Sequence, residues 1–372
     1  MTLQDKVKAN VRRLRPYALS PHSASVKINQ NENPWDAPAR VKEETLRRLE
    51  ARRWSRYPDF VPLSLHERLA EFAGWTPDGI IAGNGSNELI QALLMVTVGH
   101  DTRVLISEPT FALYRQITAV LGGNVASVQL TPALDYDIEA LQAAVRDLKP
   151  KVTIICSPNN PTGCVLSDDD LRGLLKSSDG LVVVDEAYHE FAEHSVVPLL
   201  RQHKNLVVLR TFSKAMAMAA LRVGYLLTAP ELAREISKAV LPYNLNVISQ
   251  TAAEVAVEMY EEELRPLVRR IISERERLYG ELSKADGLTP VRSLGNFMVV
   301  RSTVNPKQVF ADLLNKDILI RDVSGYPMLG DHFRVSIGTP EESERLIQAL
   351  REIFGANHAE PDTAAPFAKV NE

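Results

Sequence analysis

Short apolar runs alternate with amphipathic helical stretches through the middle of the chain. Residues 103–107, 152–156, 181–184 and 206–209 are runs dominated by Val, Ile and Leu, and the pattern predicts a strand at each. Apolar positions recur at helical spacing over residues 87–98, 112–121, 138–148 and 167–176, which are predicted as the helices between them. Continuous rather than alternating apolar runs mark strands buried on both faces, as in a parallel sheet covered by helices. Two more amphipathic helices are predicted upstream, at 41–53 and 63–73. Beyond Pro242 the character changes. A long charged helical region spans 250–282, and short strands follow at 296–301, 318–321 and 333–337, with a helix between the first two and another at 341–354. The expected fold class is therefore α/β. A large domain over 36–245 carries a mostly parallel central sheet, and a smaller α+β domain covers 246–355. Residues 1–35, rich in Arg, Pro and Ser, read as an N-terminal arm, and 356–372 as a disordered tail.

Composition narrows the function without naming it. A chain of 372 residues exceeds what one core usually supports, and 45% hydrophobic with 24% charged residues is ordinary for a soluble globular protein. A formal net charge of −4 gives no electrostatic case for nucleic acid or an anionic membrane. Two cysteines, Cys156 and Cys164, exclude a disulfide framework and a cysteine-rich zinc site, and both read as small buried apolar residues. The eight histidines form no metal-ligand cluster, so no metal is expected. The N-terminus is polar and basic with no apolar signal core, and no apolar run is long enough for a membrane. The expected location is cytoplasmic.

Candidate chemistry sits at the ends of the predicted strands, where parallel sheets bind ligands. Lys214 follows one strand in a stretch of small apolar residues, with Thr211 and Ser213 before it and Arg222 eight residues after. A desolvated amine beside a second cation has a lowered pKa and becomes nucleophilic, as a Schiff-base lysine requires. The competing reading is a lysine snorkelling at a helix rim. Asp185 ends another apolar run within Asp185-Glu186-Ala187-Tyr188; it is either poised over the ligand crevice or a helix N-cap. A third strand leads into Ser157-Pro158-Asn159-Asn160-Pro161-Thr162-Gly163, more specific than a turn requires. Gly83-Asn84-Gly85-Ser86-Asn87-Glu88 opens directly into a helix, which suits a phosphate. It lacks the third glycine and the acidic residue of a dinucleotide fingerprint, so a nicotinamide cofactor is set aside.

Together these segments resemble the fold-type I pyridoxal-phosphate enzymes, in particular the class II aminotransferases, over about residues 15–354. The resemblance implies pyridoxal 5'-phosphate as cofactor, with Lys214 as its Schiff-base lysine. It implies Asp185 as the carboxylate that keeps the pyridine nitrogen protonated, ionised and with a depressed pKa. Asn160 and Tyr188 are implied as partners of the ring hydroxyl oxygen, and Phe111 as the stacking aromatic. The phosphate falls to the backbone N–H groups of Ser86 and Asn87, to Thr211 and Ser213, and to Arg222. Asn87 stands where many members of the family carry aspartate. Tyr57, in Arg56-Tyr57-Pro58-Asp59, is implied to reach across the interface of a homodimer.

The ends of the chain bear on the substrate. Leu14-Arg15-Pro16-Tyr17, Asn29-Gln30-Asn31-Glu32-Asn33-Pro34, Arg321-Asp322-Val323 and Phe333-Arg334-Val335-Ser336 are similar to the histidinol-phosphate branch of that family. The resemblance implies Arg334 for a substrate carboxylate, and Arg334, Arg321 and Tyr17 for the phosphate of histidinol phosphate. The other reading of Arg321 is a rim salt bridge with Asp322 or Asp317. The implied reaction transfers an amino group from histidinol phosphate to 2-oxoglutarate, yielding glutamate. An aromatic amino-acid aminotransferase and a decarboxylase of a phosphorylated amino acid are the alternatives.

Overall fold

The structure is a computed structural model that describes residues 3–16 and 21–356. The first strand, β1 (Val26–Lys27), stands apart from the central sheet. That sheet contains β2 (Ile80–Gly83), β3 (Arg103–Glu108), β4 (Asn124–Gln129), β5 (Val152–Cys156), β6 (Leu181–Asp185), β7 (Leu206–Thr211) and β8 (Gly224–Thr228), in the order β2-β8-β7-β6-β5-β3-β4. β8 runs antiparallel to both its neighbours, and the remaining six strands share one direction. Alternate residues of the apolar runs enter different cores. Leu105, Ile155, Val182, Val184 and Val208 pack on one face, and Val104, Ile106, Ile154, Val183 and Val207 on the other. This is why the runs are continuous. Apolar runs do not mark β4, because it is an edge strand whose residues are exposed or half-buried.

Side-chain caps start several helices where the sequence offers them. Ser167 accepts from the N–H of Asp170 ahead of Asp168–Ser177, and Asp137 from that of Ala140 ahead of Ile138–Leu148. The region expected as one helix from 250 divides into Val247–Glu258 and Arg265–Leu282, joined by a π-helical turn at Tyr260–Leu264. Pro266, which cannot donate, sits in the first turn of the second helix. Val247–Glu258 lays Ala252, Ala253 and Ala256 into the core shared with the helices Ala39–Glu50 and Leu63–Ala73.

A second core surrounds β9 (Leu288–Pro290), β10 (Phe297–Ser302), β11 (Ile318–Leu319), β12 (Arg321–Asp322) and β13 (His332–Ser336), with the helices Arg265–Leu282, Pro306–Asn315 and Pro340–Ala356. Four of these strands form an antiparallel sheet in the order β12-β13-β10-β9. The single strand expected over 318–321 is thus two. β11 pairs in parallel with β1, and past Ile320 the chain joins β13 instead. Val26 and Ile28 are buried in this second core, although they lie in the stretch expected to be an arm. Of residues 356–372, expected as a disordered tail, Ala356 ends the helix Pro340–Ala356 and 357–372 lie outside the described residues.

Candidate active site

Because β2, β3, β5, β6 and β7 are parallel, their C-terminal ends fall along one edge, and antiparallel β8 begins there. Strand order reverses between β3 and β5, which opens a crevice at that edge. Phe111 follows β3, Asn160 follows β5, Asp185 ends β6 and Thr211 ends β7. These residues, with Ser86, Asn87, Tyr188, Ser213, Lys214, Arg222, Arg321 and Arg334, line one cavity of about 300 Å³. Twelve of the fourteen residues singled out from the sequence are therefore brought together. The other two are Tyr57 and Tyr17. Tyr57 stands outside its own chain's cavity, 81% exposed and stacked on Tyr243 at 4.5 Å. Tyr17 lies outside the described residues.

One end of the cavity is a cradle of donors. The helix Ser86–Thr97 opens there, and the N–H groups of its first turn have no acceptor within the helix. Arg222 directs Nη1 to Ser213 Oγ at 3.1 Å and to the Ala219 carbonyl at 3.0 Å. Thr211 Oγ1 donates to Ser213 Oγ at 3.0 Å. Two glycines make this approach possible. Gly85 has φ +81°, and a Cβ on it would lie 2.5 Å from Arg222 Nη2. A Cβ on Gly224 would lie 2.3 Å from the backbone nitrogen of Ser86. A guanidinium, two hydroxyls and a helix N-terminus form a donor set for a dianionic phosphate.

Asp185 is 3% exposed, and its carboxyl oxygens accept from Tyr114 Oη at 2.6 Å and from the Ala187 N–H at 3.1 Å. Burial pushes this carboxyl up to about 6, against the depressed value expected beside a pyridinium; the groups that lower it here are two hydrogen-bond donors. Its sequence neighbour Glu186 turns to a different set of partners, Arg210 Nε at 2.9 Å, Ser195 and the Val196 N–H. Burial raises Glu186, but Arg210, His189 and the Val196 N–H together outweigh it and the carboxyl is held low. One acid of the pair serves the cavity and the other the framework.

Lys214 Nζ donates to the Gln30 carbonyl at 2.9 Å and lies 5.9 Å from the centre of the Tyr188 ring. Its pKa is lowered to about 7, chiefly by burial and next by Arg334; Arg222, the neighbour suggested by sequence, contributes less. Tyr188 Oη accepts from Asn31 Nδ2 at 3.1 Å and from Asn160 Nδ2 at 3.2 Å, leaving its own proton to donate. Asn160 Oδ1 in turn receives Arg334 Nη1 at 2.6 Å, and Arg334 Nη2 reaches the Asn29 carbonyl at 2.7 Å. Arg321 sits directly opposite Arg334 in the β12–β13 pair, so both side chains share a face. The expected alternative for Arg321 is not what forms. Asp317 binds Ser25 and Arg345, and Asp322 accepts from the Ser324 N–H.

Sequence reasoning missed Tyr114 and Asn31 as parts of the site. Both line the cavity and bond side chains already assigned, Tyr114 to Asp185 and Asn31 to Tyr188; Asn31 lies within a segment noted from the sequence, but spacing gives it no role of its own. The two cysteine thiols are buried, and burial raises both, as small apolar residues require. No group of metal ligands occurs among the described residues.

Residues 24–350 match the family described as aminotransferase class I and II, and the chain belongs to that family. It is 37% identical to a histidinol-phosphate aminotransferase of Chlorobium phaeovibrioides over 333 residues, covering 89% of this chain and 92% of that one. A histidinol-phosphate aminotransferase 1 of Carboxydothermus hydrogenoformans is 38% identical over 92% of this chain and 96% of its own. In three dimensions the chain is similar to the crystal structure of histidinol-phosphate aminotransferase from Sinorhizobium meliloti in complex with pyridoxal-5'-phosphate. That likeness has a TM-score of 0.85 at 23% identity and covers 95% of this chain and 98% of the other, and it establishes the fold.

Proposed function

We propose that this chain is a pyridoxal-phosphate-dependent aminotransferase that moves the amino group of L-histidinol phosphate to 2-oxoglutarate, as a step of histidine biosynthesis. The products are imidazole-acetol phosphate and glutamate. The observation that carries the reading is the single cavity in which a phosphate cradle, a half-buried lysine, a buried aspartate and two arginines meet. The residues fit the cofactor. Ser86, Asn87, Thr211, Ser213 and Arg222 would offer donors to its phosphate, and Asn160 and Tyr188 to its hydroxyl oxygen, while the Asp185 carboxylate would accept from its protonated ring nitrogen and Phe111 would stack on its ring face. Bound pyridoxal phosphate supplies a carbonyl that takes up the amine and a ring that withdraws electrons.

The chain's own groups do the rest. Lys214, lowered to about 7, is substantially neutral at physiological pH and can accept the proton from the carbon that bears the substrate amine. Arg334 and Arg321 present two cations to the substrate phosphate, while the carboxylate of glutamate needs only Arg334. The exposed Tyr57, Phe60, Leu63 and Leu241, with Tyr57 and Phe60 joined through Tyr243, support a homodimer in which Tyr57 enters the partner's cavity. No helix among the described residues is long and apolar enough to cross a membrane, and a cytoplasmic location accords with a biosynthetic role.

Initial rates with histidinol phosphate and with phenylalanine, each with 2-oxoglutarate, test the substrate. The proposal expects histidinol phosphate to be preferred. Arg321→Gln should lower kcat/KM for histidinol phosphate by about a hundredfold, the loss of roughly 3 kcal/mol from one charge-assisted contact, and spare phenylalanine. Equal loss on both substrates would refute the assignment of Arg321. Release of carbon dioxide without 2-oxoglutarate would favour a decarboxylase instead.

A further inference from the structure

Behind Asp185 stands a second residue that the reaction as described does not use. Tyr114, in the first turn of the helix Leu113–Leu121, is fully buried in the apolar layer that contains Ile106, Ile154 and Val183. Its hydroxyl donates to Asp185 Oδ2 at 2.6 Å while the Ala187 N–H holds Oδ1 at 3.1 Å, so both carboxyl oxygens are tied to fixed donors. The Tyr114 ring also meets Phe111 edge-on, with centroids 5.5 Å apart at 82°. A tyrosine that only filled this layer would not need its hydroxyl, since a buried polar atom costs free energy unless it is bonded.

We propose that Tyr114 is a positioning residue: its hydroxyl keeps Asp185 ionised and fixed in orientation, and so sets how tightly the chain grips a protonated pyridine nitrogen. The role rests on the pyridoxal-phosphate reading above. A donor to the charged form favours that form. Burial alone pushes the Asp185 carboxyl toward neutrality, and the Tyr114 hydroxyl is the foremost group opposing it. Burial also holds the phenol of Tyr114 far above its ordinary pKa, so it stays a donor throughout the working range. Tyr114 acts through Asp185, to which its hydroxyl is bonded.

Tyr114→Phe removes one oxygen and preserves the ring, its contact with Phe111 and the packed volume. The full-length protein is stripped of cofactor, and Asp185 is followed by carbon-13 NMR of labelled aspartate, with Asp185→Asn identifying its signal. The expected result is an Asp185 titration displaced upward by about one pH unit in Tyr114→Phe, and an affinity for added pyridoxal phosphate reduced about tenfold. In the Asp185→Asn background the same substitution should change that affinity less than twofold. An unmoved titration and affinity would overturn the proposal. So would equal losses of affinity in both backgrounds, which is what a packing defect produces. If the stripped wild-type protein fails to bind pyridoxal phosphate, the cofactor assignment itself is wrong; if it binds and Tyr114→Phe matches it, only the role of Tyr114 is.

Discussion

Lys214 concentrates the chemistry of the site, and its environment makes its behaviour with pH predictable. Its pKa is lowered to about 7, so the amine is charged below that pH and free above it. A reaction that needs the free amine to accept a proton should therefore slow as pH falls through about 7 and level off above it, which a kcat profile checks. Because Arg334 is the second cause after burial, Arg334→Leu should displace the midpoint upward. The rate of amine labelling at Lys214 against pH measures this in the protein stripped of cofactor. Sequence made Lys214 conspicuous because a lysine among small apolar residues needs a reason. It pointed to Arg222 as the neighbouring cation, since spacing along the chain was the guide. Arg334, 120 positions away, acts more strongly because β13 delivers it to the same cavity.

Elements matter here through where they end. Of the strands sharing one direction, β3, β5, β6 and β7 were legible as continuous apolar runs, β2 and β4 were not, and the residues after the legible four stood out as candidates for chemistry. β8 was not, yet its reversed direction brings Arg222 and Gly224 to the edge where the other strands finish. That reversal also presses Gly224 against the N-terminus of the helix Ser86–Thr97. Gly224→Ala should therefore open the phosphate cradle. The expected outcome is at least about a tenfold loss of affinity for pyridoxal phosphate and destabilisation by about 1–3 kcal/mol, read by cofactor titration and by urea unfolding. The passage from β11 to β12 was equally hidden. Periodicity shows a strand at 318–321, but which neighbour each half pairs with depends on β1 and β13, distant in sequence.

At the scale of the molecule, two features carry predictions. His66 is buried, and burial lowers it from 6.5 to about 4. Above pH 6.5 the imidazole is neutral in both folded and unfolded chains. As pH falls from there toward 4 the unfolded chain takes up the proton first, so this contribution to stability declines with pH. About 2 kcal/mol should be gone by pH 5, and His66→Gln should lose that part of the dependence in urea unfolding at the two pH values. The second feature is the exposed Tyr57. If it completes the partner's site, Lys214→Ala and Tyr57→Ala are each inactive alone, while hybrids formed by mixing them contain one intact site. Co-refolded mixtures should recover about a quarter of wild-type activity. No recovery would mean that Tyr57 works within its own chain.

The sequence by itself determined the class of fold, and the family resemblance carried by its motifs implied the cofactor. Strand runs, glycine loops and the residues that follow each strand are local features, and local order is what a sequence displays directly. Tertiary structure alone decided which charges meet. Tyr114 finds Asp185 across 71 positions, and Arg334 finds Asn160 across 174. Neither pairing has a periodicity or a spacing to reveal it, because each depends on how strands are ordered in the sheets and on which core buries them.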